Sequence, residues 1–121
     1  MVFDGSLPGA RRGRITGSTG GGRRRQIVSV LADTELVAGL VGLPEWRHQG
    51  NTIVRAFVLD GGFMGSVGFV NRLAEVAEAA DHHPDIAINW NTVTVTIGSH
   101  RLGGVTPQCL DLAAKVDLLA G

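Results

Sequence analysis

The order of elements in this sequence predicts an α+β domain: a four-stranded antiparallel sheet with three helices packed on one face. Three observations lead there. Residues from Thr52 to Val58, and from Asp85 to Ile97, alternate with the period of two that half-buried strands show. The segments before and between them recur with helical period. A Thr-Pro pair then opens a last amphipathic run, giving α-β-β-α-β-β-α.

The first helix is predicted in "ADTELVAGLVGLPEW", with Asp33 as N-cap, Leu36, Val37 and Leu40 apolar, and Gly42 and Pro44 as terminators. "EWRHQGNTIVRAFVLD" follows as a hairpin turning at Gly50-Asn51. Its second arm sets Ile53, Arg55 and Phe57 against Val54, Ala56 and Val58. "FMGSVGFVNRLAEVAEAA" returns to helical period, with Phe63, Val67, Val70, Ala74 and Ala77 down one stripe. "DIAINW" alternates through Ile86, Ile88 and Trp90, and "TVTVTIGSH" through Val93, Val95 and Ile97. Thr106 as N-cap and Pro107 at the first helical position open the last helix.

Composition bounds what such a domain does. Residues 1–26 hold six arginines and Asp4, a net +5, and have no apolar period; they read as a disordered Gly/Arg-rich tail. A start codon near Val28 or Val30 is an alternative reading of this segment. Residues 27–121 carry −5 and form the folded domain, which does not invite polyanions. A nucleic-acid role would rest wholly on the tail, with binding that weakens steeply in salt. A single cysteine, Cys109, excludes an internal disulfide. No apolar run is long enough to span a bilayer, and no hydrophobic segment follows the arginines as in a signal peptide, so the expected location is cytoplasmic. A domain this small gains buried area by forming oligomers.

Chemistry concentrates in the histidines. Pro84 disfavours helix at His83, so His82-His83 marks a helix-to-strand corner. Both imidazoles can serve one site only if the chain bends between them. His100 shares the parity of Thr94, Thr96 and Gly98, which puts it on the polar face or at the strand's end. Adjacent histidines chelate one ion poorly, and no H-x-H, HExxH or cysteine-rich pattern is present, so no metal is expected. Imidazole, with an unperturbed pKa of about 6.5, suits acid–base work near neutrality. His48 reads as a surface residue. Trp90 reads as core, or as a wall for a flat ring.

Together, Glu78, His82-His83-Pro84, Trp90 and His100 keep the spacing of a known signature: Glu, three residues, His-His-Pro, five residues, an aromatic, nine residues, His. The chain from about Val30 onward resembles the pterin-4a-carbinolamine dehydratase (4a-hydroxytetrahydrobiopterin dehydratase) family. "FVNRLAEVAEAADHHPDI" and "GGVT…LAAKVD" extend the likeness. The resemblance implies the fold derived above and a hydro-lyase that dehydrates a 4a-hydroxytetrahydropterin to the quinonoid dihydropterin, in tetrahydropterin recycling. It implies no cofactor, since the pterin is the substrate, and a homodimer or homotetramer. It makes His82 and His100 the acid–base pair and His83 a ligand that orients the pterin. Glu78, Asp81, Pro84 and Trp90 would complete the binding site.

One position departs. The family places an aspartate nine residues after the last histidine, and here that residue is Cys109, in Thr106-Pro107-Gln108-Cys109. Asp111 lies about 200° further around the helix and is expected to be a poor stand-in. Cys109 either lines the pterin site as a partly ionised thiol or is a small buried hydrophobe. The departure keeps a second function open: a catalytically weak, dehydratase-like interaction protein, either a dimerisation cofactor or an assembly chaperone with a protein partner.

Overall fold

The computed structural model describes residues 29–120. The tail and start-codon expectations for residues 1–26 fall outside the described residues. The elements are α1 (Asp33–Leu40), β1 (Arg47–Gln49), β2 (Thr52–Val58), α2 (Gly62–Ala80), β3 (Asp85–Asn89), β4 (Thr92–Ile97) and α3 (Pro107–Ala120). The sheet order is β1-β2-β4-β3, antiparallel throughout, so two hairpins meet along β2 and β4. The predicted fold class and element order are therefore observed. No helix among the described residues is long and apolar enough to cross a membrane.

One face of the sheet forms the core. Ile53 pairs with Ile97 and Phe57 with Val93, and all four side chains are buried beneath Leu36, Phe69, Leu73, Leu112 and Val116 of the three helices. Each fully buried side chain of this size contributes about 1.5–3 kcal/mol. Arg55 lies on the same face, opposite Val95. Its stem packs inward, its guanidinium sits 4.2 Å from the Phe57 ring centroid, and its Nη1 donates to Asp117 Oδ1 of α3 at 2.7 Å. Trp46 Nε1 donates to the same oxygen at 2.8 Å. A charged side chain thus ties the central sheet to the last helix.

Two local expectations are corrected. The first residue with extended backbone before α1 is Ala32, not Asp33, and Glu35 Oε1 accepts the Ala32 amide at 2.9 Å. In α2 the buried residues are Ser66, Phe69, Leu73 and Ala77, whereas Phe63 is half exposed and Ala74 is exposed. The stripe is rotated because it buries the large Phe69 and Leu73, and because Ser66 has a partner in the interior. Its hydroxyl donates to the Trp90 carbonyl at 2.6 Å. A polar residue with its hydrogen bond made is welcome where hydropathy alone would exclude it.

Turn residues fix both hairpins. Gly50 takes φ +60°, as the first central residue of a two-residue hairpin loop requires. Trp90 occupies the matching place between β3 and β4 with φ +53°, which is strained for a bulky side chain. Ser66 and the Leu59 amide, which donates to Asn91 O at 2.8 Å, hold that turn against α2 and β2.

Candidate active site

The end of α2 sets the corner. Asp81 adopts the left-handed conformation (φ +52°), its amide donates to Glu78 O at 3.1 Å, and the His82 amide donates to Ala77 O at 3.0 Å. This is the Schellman pattern, and it satisfies carbonyls that would otherwise be orphaned. The reversal swings His83 back over the helix end, where its Nε2 lies 2.7 Å from Glu78 Oε1. His82 points the other way and is half-buried, with a buried Nε2 that has no hydrogen-bond partner among the described residues. Its pKa lies below the usual 6.5 because burial disfavours the imidazolium, an effect the Asp81 carboxylate partly offsets. His82 is thus biased toward the neutral, proton-accepting form at pH 7.

His100 lies beyond the end of β4, at the tip of a tight Ser99–Gly104 turn. Ser99 N donates to Gly104 O at 2.8 Å, Gly103 N to Ser99 O at 2.7 Å, and Leu102 N to Ser99 Oγ at 3.1 Å. Gly104 packs against the Val30 side chain, which would have to shift to admit a Cβ. The turn holds out His100, Arg101 and Leu102 as a block. His100 Nε2 comes within 3.8 Å of Asp85 Oδ1, too long for a hydrogen bond.

Three shallow depressions surround this corner. One of about 220 Å³ runs along Asp81, His82, Ser99, Arg101 and Thr106. One of about 130 Å³ continues from it past Asp111 and Lys115, with Ala80, His82 and Gln108 common to both. A third, about 210 Å³, contains His100 and Asp85. Ser99 lines both the first and the third, so His82 and His100 stand on either side of a ridge rather than within one pocket.

The structure gathers Glu78, Asp81, His82, His83 and Pro84 at the helix end, with His100 across the ridge. It does not bring Trp90 there. Trp90 borders Gly62 at the start of α2, whereas His82 follows the end of that helix. A 19-residue helix separates them by about 28 Å at 1.5 Å per residue. Within one chain Trp90 is thus set apart from the corner at which the ring-stacking wall was expected. Of the two readings of Cys109, the small buried hydrophobe is the one the structure shows. It is fully buried in the core and lines none of the three depressions. Its Sγ sits 3.4 Å from Thr106 Oγ1. The expected turn of the helix between positions 109 and 111 is correct, but its consequence is reversed: with Cys109 facing inward, Asp111 faces the His82 depression.

Sequence reasoning passed over Asp85, Ser99, Arg101, Gln108 and Lys115. For α3 a signal existed: Gln108, Asp111 and Lys115 fall on one stripe, complementary to the buried Cys109, Ala113 and Val116. Among the described residues, no three His, Cys, Asp or Glu side chains cluster as metal ligands.

In this small α+β domain His82 and His83 sit where α2 turns into the edge strand β3, with His100 on the neighbouring turn. The sequence profile described as Pterin 4 alpha carbinolamine dehydratase matches residues 29–119, and the chain belongs to that family. Relatives named "Putative pterin-4-alpha-carbinolamine dehydratase" include one from Mycobacteroides abscessus, 42% identical over 94 residues, covering 78% of this chain and 99% of the relative. Another, from Picosynechococcus sp., is 48% identical over 89 residues, covering 74% and 96%. Among solved structures, a transcriptional coactivator/pterin dehydratase from Brucella melitensis superposes with a TM-score of 0.73 at 32% identity, covering 77% of this chain and all of that one. A pterin dehydratase-like protein identified as a RuBisCO assembly factor in the alpha-carboxysome gives 0.51 at 25% identity, covering 63% and 87%.

Proposed function

We propose that this protein dehydrates a 4a-hydroxytetrahydropterin to the quinonoid dihydropterin. The observation that carries the reading is His82: a buried, unpartnered imidazole nitrogen held beside a depression and biased toward its neutral form. Elimination breaks the C4a–O bond and the N5–H bond and forms C4a=N5. It needs a base at N5 and an acid at the departing hydroxyl, which leaves as water. A flat bicyclic ring laid across the Ser99 ridge would have His82 on one side and His100 on the other. His82 then accepts the N5 proton, and a protonated His100 donates to the hydroxyl. His83, tethered by Glu78, orients the ring. The chemistry needs neither a metal nor a covalent intermediate. The test is whether the purified protein accelerates loss of the 4a-carbinolamine; a rate equal to the uncatalysed one contradicts the reading.

A second reading, a dehydratase-like interaction protein, draws on the other end of the molecule. Trp90 is largely exposed there, at the same end as the exposed Val58, Phe63 and Met64. Such an apolar surface suits a protein partner or self-association into a dimer or tetramer. An inert protein that co-purifies stoichiometrically with one partner would favour this reading. A cytoplasmic location is part of the proposal and is read by fractionation.

A further inference from the structure

We infer that Asp111, together with Lys115, recognises the amino-pyrimidine edge of the pterin, supplying from α3 the carboxylate that position 109 does not present. The inference rests on the dehydratase reading above and names the part of the substrate that this side of the site holds. A pterin's pyrimidine edge presents two adjacent donors, the 2-amino group and N3–H, followed by an acceptor, O4. Its complement is a carboxylate, which accepts both donors, beside a cationic donor for the oxygen.

Glu78 is turned to His83, whose Nε2 lies 2.7 Å from its Oε1, and it lines neither of the depressions that contain His82. Cys109 faces the core and is fully buried. Asp111 and Lys115 are exposed and line the depression that contains His82, with Gln108 on the same stripe. Their spacing of four residues puts both on one side of α3. Among the described residues neither side chain forms an ion pair, so the carboxylate and the ammonium are available to a ligand. The depression continues past His82 into the larger one beneath Arg101, so an edge anchored at Asp111 directs the reacting half of the ring toward His82. Asp81, across His82, is placed beside the imidazole whose protonation it favours.

The test compares two probes that differ at one position: 7,8-dihydropterin, with its 2-amino group, and 7,8-dihydrolumazine, with a 2-oxo group. Binding to full-length wild type, Asp111→Asn, Asp111→Glu and Lys115→Met is followed by ligand fluorescence. A charge-assisted hydrogen bond to the amino group predicts that wild type prefers the pterin by roughly ten- to a hundredfold. Asp111→Asn should lose that preference while keeping its melting temperature, since the side chain is exposed, and Asp111→Glu should restore part of it. Lys115→Met should weaken both probes alike, because both carry O4. If wild type prefers the pterin and Asp111→Asn keeps the full preference, the inference is overturned and the dehydratase reading stands. If wild type binds neither probe, the dehydratase reading falls and this inference falls with it.

Discussion

Glu78 and His83 lie five residues apart and are brought to 2.7 Å by the left-handed turn at Asp81 that ends α2. The pair is solvent-exposed, so it adds at most about 1 kcal/mol to folding. Its consequence is for the direction of an imidazole. Glu78 limits the rotation of His83 and, by accepting from Nε2, leaves Nδ1 to face outward.

Glu78→Gln should therefore leave thermal stability within about 1 kcal/mol of wild type while the KM for the carbinolamine rises several-fold. Parallel melting curves and steady-state kinetics check this. A loss of stability with unchanged KM would make the pair a structural one.

The burial of His82 predicts a pH signature with a definite sign. Its pKa is lowered in the folded protein, so between that value and the unfolded 6.5 the unfolded chain binds more protons. Stability contributed by the neutral imidazole is present above pH 6.5 and is lost as pH falls through the folded pKa. Chemical denaturation between pH 7.5 and 5 should show this loss in wild type and a shallower one in His82→Gln. The acid limb of kcat/KM should fall with an inflection below 6.5. Identical pH profiles of stability in both proteins would contradict the assignment.

Away from the site, Asp117 receives both Arg55 and Trp46 on one oxygen. Asp117→Ala leaves a partly buried guanidinium and an indole N–H without their acceptor, and Arg55 Nε already has none. The expected loss is about 1–3 kcal/mol in denaturant titration, with kcat unchanged. An unaltered midpoint would show that water replaces the carboxylate at no cost.

The elements were legible because period and punctuation agree. Thr106-Pro107 opens α3 where predicted, and the Val93, Val95, Ile97 alternation is buried throughout. The rotated face of α2 was not legible, because a buried Ser66 depends on a carbonyl 24 residues away in the chain. His82 and His83 were legible as a corner through Pro84. The separation of Trp90 from the histidines within one chain was not legible, since even spacing along a strand says nothing about which end of the domain the strand reaches. Asp111 was discounted because the face of α3 was inferred from the family pattern, while burial of Cys109 turns that helix so that its neighbour faces His82.

The most direct test is the rate of 4a-carbinolamine dehydration by wild type, His82→Gln and His100→Gln, with folding confirmed by circular dichroism. Proton transfer by positioned imidazoles predicts that wild type accelerates the reaction and that each substitution lowers kcat/KM by about a hundredfold or more. Wild-type rates in both folded variants would contradict histidine acid–base catalysis at this corner.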